Sequence, residues 1–116
     1  MYKIAVVGSR EFKDKIFVQD TIVALLPTSH YELVSGGARG VDTWAEEMAN
    51  VLGIHSIIFK PDWDKYGKSA GYKRNNLIID EADKVLAFWD GKSKGTKHSI
   101  DLAIKAGKPI NIYIRS

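Results

Sequence analysis

Three short segments combine glycine with cationic or hydroxyl side chains: residues 8–10 (GSR), 35–42 (SGGARGVD) and 90–96 (DGKSKGT). Glycine lets the backbone approach a ligand closely, and free N–H groups at a helix start attract an anion. The second and third segments therefore predict two phosphate-binding loops, formed by Gly36, Gly37, Gly40, Gly91, Gly95 and Thr96. Tight turns between strand and helix, without any ligand, are the alternative explanation for these glycines.

Four polar side chains beside these glycines are candidates for ligand contacts. Arg39 could make a forked contact with phosphate, and a cation at a helix start is otherwise unfavourable. Ser9 and Ser35 lack the G-x-S-x-G pattern of a nucleophile, so we expect them to hydrogen-bond phosphate. Asp42 falls in the first turn of a predicted helix, where a carboxylate needs no function. It is also our candidate for a catalytic acid or base. Gly8 and Arg10 complete the first segment.

The segment 60–74 (KPDWDKYGKSAGYKR) mixes cations with aromatic rings. Aromatic side chains among cations suit base stacking and phosphate contact, which makes Trp63 and Tyr66 candidates for stacking on a base. Packing of Trp63 back onto the domain is an equally good explanation. Arg74 and Asn75 begin an apolar helical segment, and we expect them to hold phosphate or ribose.

Composition excludes several classes of site. The chain of 116 residues has no cysteine, which excludes disulfides, thiolate nucleophiles and cysteine-ligated metals. Its three histidines lack metal-ligand spacing, so we expect no metal site, and no particular cofactor is indicated. There is no Walker motif and no G-x-G-x-x-G followed by an acid at the second strand. A net charge of +3 is too small to indicate nucleic-acid binding by itself.

The elements that must position these residues alternate between strand and helix. Strands are predicted at residues 3–8, 31–35, 54–59, 84–89 and 109–114. Helices are predicted at 15–26 (ended by Pro27), 40–52, 72–81 and 96–106, with 61–71 as a loop. The strands are apolar without alternation, which is typical of a parallel sheet covered on both faces.

With right-handed crossovers, this pattern predicts the α/β class: a single Rossmann-like, doubly wound domain over residues 1–116, with about five parallel strands and helices on both faces. Ligands of such sheets bind beyond the carboxyl ends of the strands, where the glycine-rich segments fall. No apolar run is long enough to span a membrane, and the chain opens directly into a strand without a targeting peptide. We therefore expect a cytoplasmic protein.

Taken together, the segments resemble the SLOG superfamily, the Rossmann-like group named for the Smf/DprA and LOG proteins, and are most similar to its small YspA-like branch. The similar pieces are residues 6–12, 35–49, 61–78, 82–96 and 103–109. The resemblance implies a phosphorylated nucleotide or nucleotide-derived ligand at the glycine-rich edge, bound for sensing or sequestration. It also implies a homo-oligomer.

Two better-known SLOG groups imply different functions. DNA-processing protein A is similar in SGGARGVD and RNNLI, which implies single-stranded nucleic acid as an alternative partner. The LOG enzymes are similar in the arginine-bearing helix and the Gly-Thr loop, which implies hydrolysis of an N-glycosidic or phosphoester bond of a nucleotide. However, the catalytic Glu that follows Gly-Thr in LOG enzymes is absent after Gly95-Thr96. Asp42 or Asp90 would have to replace it.

Overall fold

A single parallel sheet forms the centre of the molecule. The computed structural model describes residues 1–26 and 30–115. Its strands are β1 (Tyr2–Gly8), β2 (Tyr31–Ser35), β3 (His55–Ile58), β4 (Lys84–Trp89) and β5 (Ile110–Ile114). All neighbouring strands are parallel, in the order β3-β2-β1-β4-β5. The predicted α/β class with a doubly wound parallel sheet is confirmed.

Helices cover both faces of this sheet: α1 (Lys15–Leu25), α2 (Val41–Leu52), α3 (Trp63–Tyr66), α4 (Ala70–Glu81) and α5 (Lys94–Lys105). Successive residues of a strand point to opposite faces, so both faces need apolar side chains. In β1, Ile4 packs in the cluster that includes residues of α1 and α2. Its neighbour Ala5 packs in the cluster that includes residues of α4 and α5. Burial on both sides explains why the strands are apolar without alternation.

The segment 61–71 differs from the predicted loop. It contains α3 and a 3-10 turn (Gly67–Ser69), and α4 begins two residues before the predicted position. The Asp62 carboxylate starts α3 by accepting a hydrogen bond from the Lys65 N–H at 3.1 Å. The positive φ of Gly67 ends it. These short-range caps, hidden in a stretch rich in glycine and lysine, make the segment structured. Pro27, predicted to end the first helix, lies outside the described residues.

The site is positioned by the reversal of strand order at β1 and β4. From β1 the chain builds outward to β3, then crosses to β4 on the other side of β1. Gly8 and Phe88 are register partners near the carboxyl ends of these two strands. Helices diverge on either side of such a reversal, which leaves a crevice. Among the described residues, no helix is both long and apolar enough to cross a membrane.

Candidate functional site

A cavity of about 880 Å³ opens at the carboxyl ends of β1 and β4. Its walls come from the segment after β1, the start of α2, the α3–α4 region and the start of α5. The volume lies within the range of sites that enclose small molecules. The crevice expected from the strand order is therefore present and large enough for a nucleotide-sized ligand.

The cavity wall carries more cations than acids. Five cationic side chains line it: Arg10, Lys13, Lys68, Arg74 and Lys92. Its three acidic residues are Glu11, Asp42 and Asp90. Cations gathered in a cleft raise the local concentration of anionic ligands. The cavity therefore favours an anion.

Arg74 lies in this wall near a second guanidinium group, that of Arg10. Burial lowers the pKa of Arg74, the Asp42 carboxylate acts in the opposite direction, and Arg10 adds a smaller lowering effect. No carboxylate oxygen lies within 4.0 Å of a charged nitrogen of Arg10, Lys13 or Lys68 among the described residues. An anion placed between Arg10 and Arg74 would relieve the repulsion between them.

Of the aromatic side chains in the 60–74 segment, Trp63 and Tyr72 line the cavity. Trp63 is 53% exposed and Tyr72 is 45% exposed. Tyr66 lies outside the cavity, with the ammonium groups of Lys65 and Lys73 at 5.1 and 4.8 Å from its ring centroid. The structure therefore brings only one of the two predicted stacking residues to the cavity and adds Tyr72.

In the first glycine loop, residues 35–40, the protein itself fills the space beside Gly36. A Cβ atom on Gly36 would overlap the Arg74 Nη1 atom and lie 3.0 Å from Asp42 Oδ2. Arg74 Nη1 donates a hydrogen bond to the Gly36 carbonyl oxygen at 2.6 Å. A Cβ atom on Gly40, whose φ is +80°, would lie 2.9 Å from the Arg10 carbonyl oxygen. These glycines permit close packing within the protein.

The other members of this loop also have protein partners. Arg39 does not line the cavity; its side chain is 74% exposed, and its Nη2 atom lies 3.2 Å from Glu11 Oε1. The buried Ser35 hydroxyl donates to the Glu46 carboxylate at 2.8 Å. A Cβ atom on Gly37 would lie 3.1 Å from the Ile58 side chain. From this loop, only Ala38 reaches the cavity wall.

Asp42 is an acid buried at the cavity wall, with 6% of its surface exposed. Its Oδ2 atom accepts a hydrogen bond from the Ala38 N–H at 3.1 Å. Burial raises the pKa of Asp42 to about 6, against the opposing effects of the Ala38 N–H and the Arg74 cation. A carboxyl group with such a pKa can exchange a proton near neutral pH, as a general acid or base must.

The second glycine loop, residues 90–96, already has an anion at its N–H groups. Asp90 Oδ1 accepts hydrogen bonds from the backbone N–H groups of Lys92 and Ser93, both at 2.8 Å. These two donors lower the pKa of Asp90. The Ser93 hydroxyl accepts from the Thr96 N–H at 3.4 Å. Three backbone N–H groups of the predicted phosphate loop, including that of Thr96, are therefore bonded to the protein's own oxygen atoms.

Two glycines of this loop face open space. A Cβ atom on Gly91 or Gly95 would meet no heavy atom within 4 Å, and Gly95 lines the cavity. Thr96 is buried in the cavity wall, and its hydroxyl lies 3.2 Å from the Ser9 hydroxyl. At the end of β1, a Cβ atom on Gly8 would overlap the Val41 side chain. Only Gly95 therefore combines a place in the cavity wall with unoccupied space.

Asn75 joins the two helices that flank the cavity. Its Nδ2 atom donates to the Gly95 carbonyl oxygen at 3.3 Å and lies 3.2 Å from His98 Nδ1. Its Oδ1 atom accepts from Arg74 Nε at 3.1 Å. Burial lowers the pKa of His98, which favours the neutral ring that can accept from Asn75. Asn75 therefore holds Arg74 in place beside the cavity.

The structure divides the predicted site residues into two groups. Those that line the cavity are Gly8, Arg10, Asp42, Trp63, Arg74, Asn75, Asp90, Gly95 and Thr96. Those outside its wall are Ser9, Ser35, Gly36, Gly37, Arg39, Gly40, Tyr66 and Gly91. For both groups, contact with a ligand remains a prediction. Within residues 1–26 and 30–115, no group of three His, Cys, Asp or Glu side chains could hold a metal ion.

Sequence reasoning missed several polar and aromatic residues of the wall, namely Glu11, Lys13, Lys68, Tyr72, Lys92 and Ser93. Tyr72 had a usable signal, because it lies three positions before Asn75 and residues at this spacing share a helix face. Lys68 and Lys92 lie in the two cation-rich segments 60–74 and 90–96 that the sequence had already indicated, whereas Lys13 lies outside them.

Comparison with known proteins gives matches over most of the chain. The model of the YspA, cpYpsA-related SLOG family matches residues 2–66. The gene 61 protein of Mycobacterium phage D29 is 37% identical over 118 residues, covering 95% of this chain and 94% of the phage protein.

Solved structures of DNA processing protein A have the same fold. The Helicobacter pylori protein, described as binding single-stranded DNA, is 26% identical with a TM-score of 0.78, over 96% of this chain and 64% of that chain. The Streptococcus pneumoniae protein is 22% identical with a TM-score of 0.82, over 97% of this chain and 50% of that chain. This chain therefore spans between half and two thirds of these two proteins.

Proposed function

This chain belongs to the YspA, cpYpsA-related SLOG family, and on that premise we propose that it binds a phosphorylated nucleotide or nucleotide-derived molecule in the cavity at the ends of β1 and β4. One observation carries the proposal: cationic and aromatic side chains line the same nucleotide-sized cavity. Phosphate requires the cations, and a base requires a flat apolar surface on which to stack.

The phosphate is proposed to bind between Arg10 and Arg74. Both side chains line the cavity, and each guanidinium group offers several N–H donors in a fixed plane, which match the oxygen atoms of a phosphate. Lys68 and Lys92 add two further cations to the same cavity wall. Sensing or sequestration needs nothing more than this binding. The placement differs from our expectation for the glycine loops, because Asp90 and Arg74 already occupy much of the polar surface there.

The base is proposed to stack on Trp63 or Tyr72. Both rings are about half exposed, so a ligand can cover them without displacing the core. The other tryptophans, Trp44 and Trp89, do not line the cavity and pack against the two core clusters. A base that stacks on Trp63 would therefore change mainly the fluorescence of that tryptophan.

Titration of the protein with nucleoside mono-, di- and triphosphates, followed by tryptophan fluorescence and calorimetry, tests this function. We expect saturable quenching that disappears in Trp63→Phe while calorimetric binding persists at reduced affinity. Arg10→Ala should weaken binding at least tenfold, because a charged hydrogen bond to phosphate is lost. Lys105→Ala, at the far end of α5, is the matched control and should bind like the unmodified protein.

Equal affinity of Arg10→Ala and the unmodified protein would contradict the placement of the phosphate. Absence of binding by every nucleotide would contradict the function itself.

Single-stranded DNA binding is a second candidate, which the similarity to the H. pylori protein favours. Tyr66, with Lys65 and Lys73 beside its ring, would provide a stacking surface outside the cavity. If the strand contacts these two lysines and Lys68, three neutralised phosphates predict a slope of log K against log salt of about −2. Binding of a 20-mer that is insensitive to salt, or absent at low salt, would exclude this candidate.

A nucleotide hydrolase is the third candidate, and the buried Asp42 at the cavity wall favours it. Its carboxyl group could transfer a proton to or from a leaving group. Release of base or phosphate from a bound nucleotide would support this candidate.

A further inference from the structure

Asp90 is an acidic residue in a cavity whose wall carries more cations than acids. It directly follows β4, beside the end of β1. Its carboxylate is held in place by the two backbone hydrogen bonds to Oδ1, and its own N–H donates to the Ser9 hydroxyl at 3.2 Å. The Trp89 indole fixes the same loop by donating to the Ser93 carbonyl oxygen at 3.0 Å. The carboxylate therefore has a defined position before any ligand arrives.

The charge of Asp90 determines which ligand group can approach it. The backbone donors, with a further contribution from the Ser9 hydroxyl, lower its pKa, so the group is ionised at neutral pH and can only accept hydrogen bonds. A phosphate would be repelled, whereas a hydroxyl group can donate to it. Both backbone N–H groups bond to Oδ1, so neither of them uses Oδ2.

The cavity that Asp90 lines also has open space along its wall. Gly95 lines the same cavity, and no heavy atom lies within 4 Å of the position of a Cβ atom there. In sheets of this kind, a carboxylate near the strand ends can accept hydrogen bonds from the hydroxyl groups of a ribose. With phosphate at the arginines and the base on an aromatic ring, the sugar lies between them.

We propose that Asp90 recognises the ribose of the bound nucleotide by accepting a hydrogen bond from its 2′-hydroxyl, so that the site selects ribonucleotides over deoxyribonucleotides. This inference rests on the proposed nucleotide-binding function and adds a specificity to it.

The test compares the 5′-monophosphates of the four ribonucleosides with their 2′-deoxy counterparts, by calorimetry at fixed salt. For at least one base, we expect the ribo form to bind about tenfold or more tightly, because the hydrogen bond involves a charged acceptor. In Asp90→Asn, the ribo-to-deoxy ratio should fall to within about twofold. Asparagine keeps a side-chain oxygen for the N–H groups of residues 92 and 93.

Removing the negative charge of Asp90 strengthens the binding of every anion, whether ribo or deoxy. The ratio of the ribo affinity to the deoxy affinity is therefore the quantity that reports on the hydrogen bond to the 2′-hydroxyl. Asp64→Asn, an exposed carboxylate on α3 outside the cavity, controls for that general effect and should keep the full ratio. Asp90→Ser, which also retains a capping oxygen, provides a second variant if Asp90→Asn does not fold. The ribo-to-deoxy ratio of Asp90→Ser should also fall to within about twofold.

Equal binding of ribo and deoxy forms by the unmodified protein would overturn the role of Asp90 but leave the proposed function standing. A ribo-to-deoxy ratio that stays unchanged in Asp90→Asn and Asp90→Ser would likewise overturn the role of Asp90 and leave the proposed function standing. Failure of all eight probes to bind would overturn both proposals.

Discussion

Gly36→Ala should destabilise the protein by displacing Arg74. The added methyl group would overlap Arg74 Nη1, so the guanidinium must leave the Gly36 carbonyl oxygen to which it donates at 2.6 Å. A hydrogen bond from a charged group contributes about 1.5–3 kcal/mol. The displacement would also weaken the electrostatic attraction between the Arg74 cation and the Asp42 carboxylate. For a domain of this size, a loss of about 2–3 kcal/mol lowers Tm by about 10 °C.

A double-mutant cycle checks the cause of this loss by urea unfolding. If Gly36→Ala acts through Arg74, the same glycine substitution should cost less than about 1 kcal/mol in an Arg74→Met background. Gly95→Ala is the matched control, since a Cβ atom there meets nothing and alanine is the better helix former. It should keep or slightly raise the stability. Additive losses from Gly36→Ala and Arg74→Met would refute the reasoning.

Three further predictions concern Asp42 and the start of α5. Because the folded pKa of Asp42 is about 6 and its usual value is 3.8, the folded state binds the extra proton between these pH values. The free energy of unfolding should therefore fall by about 3 kcal/mol as pH rises from 3.8 to above 6, a dependence that Asp42→Asn removes in urea titrations. If a nucleotide is hydrolysed, Asp42→Asn should abolish product release in a chromatographic assay while calorimetric binding persists; unchanged turnover would exclude Asp42 as the acid or base. Ser93→Ala should lower the unfolding free energy by about 1 kcal/mol through loss of the α5 cap, and an unchanged urea midpoint would contradict that role.

The sequence was sufficient to predict the fold and the edge of the sheet where the cavity opens. Apolar strands without alternation, each followed by a helix, imply a parallel sheet, and right-handed crossovers imply helices on both of its faces. The strand order, in which the chain passes from β3 to β4 on the other side of β1, was not predicted. Helix boundaries were less accurate. The start of α5 depends on the Ser93 cap and lies two residues before the predicted start.

The use of individual glycines could not be predicted. Gly36 and Arg74 are 38 positions apart, and only the packing of α4 against the strand ends brings the guanidinium to the glycine. A glycine that makes room for a ligand and one that makes room for a side chain have the same local sequence. The same difficulty applies to Asp90, whose carboxylate accepts hydrogen bonds from two N–H groups inside the loop that was predicted to bind phosphate.

Because the glycine loops pack against the protein itself, we infer that the α3–α4 segment and the residues after β1 recognise the ligand. In the first glycine loop, Arg74 and the residues packed on Gly37 and Gly40 fill the space that a phosphate would need. The loop therefore fixes the position of Arg74 and Asp42, whereas Arg10, Trp63 and Lys68 present uncommitted groups to the cavity. Substitutions in the loop should accordingly change stability first, and substitutions of these three residues should change affinity first. Two proteins with the same glycine loops but different residues at these positions would then share a fold and bind different ligands.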